Sequence, residues 1–162
     1  MLGADRSPYD VFMQVEGEGH SVPAQAFREL LNDCPTLLRT CLHYSRVYSI
    51  QAGYTALANA RGRIEERLAR WLLMAQDRIG APELLLTHDF LAIMLGVRRA
   101  GVTVGLQHFE GQGLISTARG AVTILDRDGL MESANGLYGA PEAEFERLFA
   151  RPMAAREAVS VC

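Results

Sequence analysis

The chain has 162 residues, 49% of them hydrophobic, enough to bury a core and to build one domain or two small ones. Its net charge of −3 argues by itself against nucleic-acid binding, but residues 61–119 carry eight Arg against six acids, while 1–60 carry four against six and 120–162 four against seven. No run is apolar enough to cross a bilayer, since Leu84 to Val97 is broken by Thr87, His88, Asp89 and Gly96, and no secretion signal opens the chain, so a cytoplasmic protein is expected. All 16 basic residues are arginine, a residue suited to phosphate and guanine. The three cysteines, Cys34, Cys41 and Cys162, form no C-x-x-C pair, which argues against a disulfide framework or a zinc site. Cys34 and Cys41 are expected to pack as small apolar groups on helices.

Residues 9–22, YDVFMQVEGEGHSV, alternate in short runs around two glycines and predict one or two strands. Pro23, with Ser21 as cap, opens a short helix over AQAFRELLNDC that Asn32 and Asp33 close. Pro35 starts a longer helical run, TLLRTCLHYSRVYSIQAGYTALAN. In it Leu38, Cys41, Ser45, Tyr48, Ala52, Thr55 and Asn59 recur at alternating spacings of three and four, the seam of a helix pair. Arg39 and Arg46 are the only charges between Leu37 and Asn59, so the helix needs cover on more than one side. Packing within one domain and a symmetric dimer both meet that need; the dimer is preferred because little other chain remains to cover it. Asn59 is expected to cap the next helix, ARGRIEERLARWLLMAQDRI, which buries Ile64, Leu68, Trp71, Leu72, Ala75 and Ile79 and ends at Gly80, Ala81 and Pro82. Asn59 to Gly62 then reads as a hinge.

Thr87 caps a short helix, HDFLAIML, that stops at Gly96, and a second helix follows from about Arg99 to Glu110. Ala92 permits close approach of the two, Gly96 takes the left-handed turn, and Val102 and Leu106 bury the inner face of the second. This is the spacing of a helix-turn-helix, which holds a recognition helix clear of the body so that its first turns enter the major groove. Gly113 ends that helix. Leu114-Ile115-Ser116 then runs out as a strand, Ala118-Arg119-Gly120 turns, and Val122 and Ile124 return, making a two-stranded wing with Arg119 near phosphate.

From about Val15 to Ile124 the sequence resembles the Crp/Fnr family, the cyclic-AMP receptor protein and its relatives. The segments that carry the resemblance are ERLARWLLMAQDRI, LLLTHDFLAIMLGVRRAGVTVGLQHFEGQGLI and ARGAVTILD. It implies an N-terminal β-roll sensor, a long dimer helix at about 36–58, a hinge at Asn59 to Gly62, and a winged helix over 63–125. Only some 35 residues precede the dimer helix, against the hundred or so that a sensor roll needs, and the cassette that grips a cyclic nucleotide is not found. The chain is therefore expected to be a truncated member or a fragment, without the usual effector binding. The family's Arg-Glu-x-x-x-Arg readers fall at Arg99, Ala100 and Val104, so only the first is kept. Gly101 and Gly105 weaken the helix by roughly 1 kcal/mol each against alanine.

The expected fold is mainly α with a small β part: a sensor remnant and short helix over 1–34, a dimerisation helix and hinge over 35–60, a winged helix-turn-helix over 61–125, and a helical tail over 126–162. A helix at 141–150 and poorly ordered last residues are expected in that tail. The candidate DNA-binding residues are Thr87, His88, Arg98, Arg99, Thr103, Gln107 and Arg119. Arg98 and Arg99 suit guanine or phosphate, Thr103 a base edge or thymine methyl, and Gln107 adenine or phosphate. Leu38, Cys41, Ser45, Tyr48, Ala52 and Thr55 are the candidate dimer interface. His88 is as well explained as an ordinary exposed histidine; Glu16, Glu18 and His20 read better as a solvated edge than as metal ligands. His43 and His108 are structural or exposed, Trp71 belongs to the core, and Tyr44 and Tyr48 suit an interface. No nucleophile elbow, phosphate loop or paired histidine and carboxylate suggests an enzyme, and no cofactor or metal is expected. The leading reading is a homodimeric regulator on an inverted repeat of double-stranded DNA, with RNA polymerase as a further partner and no membrane contact. The alternatives are an interaction protein that pairs with a longer family member, and a small-molecule sensor using what remains of the roll.

Overall fold

In the computed structural model, which describes residues 7–8, 10–13 and 17–149, the chain divides into two units, one reaching Ser45 and a second of Arg46–Ala150. In the first, residues 10–13 and 17–23 form neither helix nor strand and are exposed, so the strands expected over 9–22 are absent among the described residues there. Alternation alone does not make a strand where no neighbouring strand pairs with it. Tyr9, Val15 and Glu16 lie outside the described residues, as does the end of the tail from 150 onward. Helix α1 (Ala24–Asp33) starts without help from Ser21: Pro23 is the boundary residue, with an extended ψ of 138°, and no side chain caps the turn. Leu31 and Cys34 are buried, and the Cys34 N–H closes the helix on the Leu30 carbonyl at 2.9 Å. Cys41 is a half-buried free thiol.

Helix α2 (Pro35–Arg61) runs past Asn59, and the break before α3 (Ile64–Ile79) is confined to Gly62 and Arg63. Asn59 is therefore interior and caps nothing. The start of α3 is instead fixed by Arg63 and Glu66: the Glu66 carboxylate accepts the Arg63 backbone N–H at 2.9 Å and its guanidinium at 3.2 Å. An arginine in that place lacks the usual serine or threonine signature, so the boundary was invisible in the sequence.

The second unit also holds β1 (Glu83–Leu84), α4 (His88–Leu95), α5 (Arg99–Gly111), β2 (Ile115–Ala118), β3 (Ala121–Ile124), α6 (Arg127–Ser133) and α7 (Ala140–Phe149). The three strands form an antiparallel sheet in the order β1-β3-β2, with Ser116 opposite Thr123 and Leu84 opposite Val122. Leu68, Leu72, Leu91, Leu106, Phe109 and Ile115 are among the side chains of its core. The winged domain expected to end at residue 125 continues further, because Leu130 of α6 and Ala134 just after it lie in the same core. Asp126 caps α6 by accepting the Gly129 N–H at 3.0 Å.

Arg70 is buried (4% exposed) and holds three segments together. It donates to the Leu137 carbonyl at 3.0 Å and the Thr55 hydroxyl at 3.1 Å, with the Gln51 carbonyl at 3.5 Å. Desolvation pushes its guanidinium below its ordinary value, yet arginine stays charged. The last turns of α2 are thus lashed to α3, not hung on a free hinge. A second cluster joins Arg127 to Asp77 at 2.7 Å and to the Tyr138 hydroxyl at 2.6 Å, and that hydroxyl donates to Asp77 at 2.7 Å.

Candidate nucleic-acid interface

The Thr87 hydroxyl accepts the Phe90 N–H at 3.1 Å and starts α4; Gly96 ends it in the left-handed conformation (φ 62°), where a side chain would be strained. Three residues later α5 begins, its inner face of Val102, Leu106 and Phe109 fully buried. Gly101 and Gly105, which the helix propensities count as weaknesses, face α3. A Cβ on Gly105 would stand 3.0 Å from Leu68 Cδ2, and one on Gly101 3.1 Å from Ile64 Cδ1, so the glycines set how closely the two helices pack.

Contacts between α4 and the first turns of α5 bring several candidate residues together. His88 Nδ1 lies 3.0 Å from Thr103 Oγ1, and the exposed Arg99 lies 3.4 Å from Asp89. The Thr103 hydroxyl is therefore already engaged, and Thr87 has its hydroxyl in the cap. Arg98 and Gln107 are exposed on α5 and its start. Arg119 is exposed at the β2–β3 turn. The wing is tied to α5 through Glu110, whose carboxylate accepts the Thr117 N–H at 2.8 Å and its hydroxyl at 2.9 Å. Those two bonds, the backbone one foremost, hold the Glu110 carboxyl below its ordinary range. Sequence reasoning missed Asp89 and Glu110, whose partners lie ten and seven residues away; it also passed over Val104 as a reader, although this side chain is 60% exposed.

The candidate dimer seam is split by the structure. Leu38, Ser45, Tyr48 and Ala52 are exposed, Cys41 is half-buried, and Thr55 is half-buried with its hydroxyl accepting from Arg70. Leu42, Tyr44 and Leu57 add exposed apolar surface to the same helix. Among the described residues no three His, Cys, Asp or Glu are grouped to hold a metal, and no helix is long and apolar enough to cross a membrane.

The profile of the Crp-like helix-turn-helix domain matches residues 66–133. That segment, less than half of the chain, is similar to a Crp-like helix-turn-helix domain. Among solved structures, a Crp/Fnr-family transcriptional regulator from Thermus thermophilus is 28% identical with a TM-score of 0.51, over 68% of this chain and 56% of that one. Another assigned to the same family, from Eubacterium rectale, is 24% identical with a TM-score of 0.53, over 70% of this chain and 53% of that one. The chain spans little more than half the length of these relatives. No curated protein sequence matches it. The matched segment takes in α6 and so extends past the wing, in agreement with the core.

Proposed function

We propose that the chain is a transcription regulator that binds double-stranded DNA as a homodimer, with α5 in the major groove and the wing along the backbone, at an inverted-repeat site. The Crp-like domain supports DNA binding. The observation that carries the reading is α5 itself: one face buried, the other exposed, its N-terminal end marked by the exposed Arg98 and Arg99. His88 and Thr87 at the start of α4, and Arg119 on the wing, are assigned to phosphate, and Gln107 to a base edge or phosphate. The Thr103 hydroxyl is assigned to positioning through His88.

Pairing is assigned to α2 within residues 35–60, through Leu38, Cys41, Ser45, Tyr48 and Ala52. Thr55 is better placed as a partner of Arg70. Cyclic-nucleotide binding is absent from this proposal, and the cytoplasm is the proposed compartment. A salt-titrated selection from a random duplex pool tests it. An enriched inverted repeat, with recognition helices about 34 Å apart, is expected. Failure to bind any duplex at low salt would overturn the reading. Binding that fades with salt and enriches nothing would leave only backbone contact, and would favour a pairing protein for a longer relative.

A further inference from the structure

We infer that Val104, with Ala100 one turn before it, makes this protein a reader of thymine through the C5-methyl group; the inference rests on the DNA-binding reading of α5. Val104 is 60% exposed, while Val102 and Leu106 on either side of it are fully buried. Ala100, Val104 and Gln107 follow at helical spacing, all exposed, on the face opposite the core. No acid lies between Arg99 and Phe109, and Glu110 is tied to the wing through Thr117. The one hydroxyl at the middle of this helix, on Thr103, lies against His88. The centre of the reading face is therefore aliphatic, with arginines at its N-terminal end.

In the major groove thymine alone of the four bases offers a methyl group; cytosine offers an amino donor and the purines an N7 acceptor. An aliphatic side chain set against a donor or acceptor expels its water without replacing the hydrogen bond, and so rejects those bases. Valine is β-branched and held near one rotamer in a helix, so its methyls are presented with little entropy to lose.

The test starts from the duplex that the wild-type protein enriches. Each thymine is replaced singly by deoxyuridine, which removes the methyl and keeps the hydrogen-bonding edge. Wild-type protein is expected to lose about fourfold in affinity at each contacted position. Val104→Ala, a change on an exposed position, is expected to bring that ratio close to one. Equal binding of thymine and deoxyuridine duplexes by the wild type overturns the inference alone, as does an unchanged ratio in Val104→Ala. A protein that binds no duplex overturns the DNA-binding reading, and this inference with it.

Discussion

Asp89 and Arg99 illustrate how a single carboxylate tunes a candidate phosphate or guanine contact. They face each other at 3.4 Å with both side chains mostly exposed, so the pair itself adds little stability. On DNA, Asp89 competes with the polyanion for the same guanidinium. Asp89→Asn is expected to tighten binding by up to about fivefold, in keeping with the strength of exposed pairs, and to leave the melting temperature unchanged. Equal affinities in a salt titration would mean that Arg99 does not use this contact on DNA. Glu66 is the opposite case, a buried carboxylate that holds structure together. Its carboxyl lies below the ordinary 4.5 chiefly because the Arg63 backbone N–H, and then Asn135, donate to it. A lowered folded value means stability fully present above the unfolded value and lost as pH falls through the folded one. Glu66→Gln should therefore cost about 1–3 kcal/mol at neutral pH. The gap from wild type in denaturant titrations should narrow as pH drops below 4.5.

At the scale of elements, the α2–α3 junction is a place where side-chain volume is tightly restricted by backbone. A Cβ on Gly62 would stand 2.8 Å from the Ala58 carbonyl oxygen and 2.8 Å from Leu137 Cδ1. A backbone carbonyl does not yield as a side-chain end does, so Gly62→Ala should cost about 1–3 kcal/mol, read from urea midpoints. A variant as stable as wild type would show that the junction gives way. The helix-turn-helix was legible because its signals are local: Thr87 caps three residues ahead, Gly96 turns, and Val102 and Leu106 recur on one side. The wing was legible for the same reason, from Gly113 and Gly120 around two short alternating runs. Strand β1 was not, since its two residues acquire meaning only by pairing with β3, some forty positions on. Helix α6 had a legible cap in Asp126, but its seven residues, about two turns, give too short a period to stand out. The candidate readers were legible as residue types. What each hydroxyl or guanidinium already holds was not, because His88–Thr103 and Arg99–Asp89 exist only once α4 and α5 are packed.

Across the whole molecule, the sequence suggested a DNA-binding body closed at residue 125 and joined through a hinge at 59–62; in the structure the helix break lies at Gly62 and Arg63, and the core runs on past residue 125. The body continues through α6, where Leu130 and the following Ala134 join its core, and Asp77 is tied to Arg127 and Tyr138, fifty or more positions on. It also takes in the end of α2, through Arg70 to Thr55 and Arg78 to Gln51 at 2.8 Å. That lashing makes the end of α2 from Arg46 onward part of the same body as the reading surface. If two copies join along that part of α2, through Tyr48 and Ala52, each reading surface is set at a fixed phase from its twin, with no slack to take up. One base pair inserted at the operator centre moves a half-site by about 3.4 Å and rotates it by about 35°. A spacing series measured by gel shift should therefore lose tenfold or more in affinity at a single insertion and should not recover at a full added turn, which restores the phase but doubles the separation of about 34 Å, so that such a dimer would select the distance between words as strictly as the words themselves.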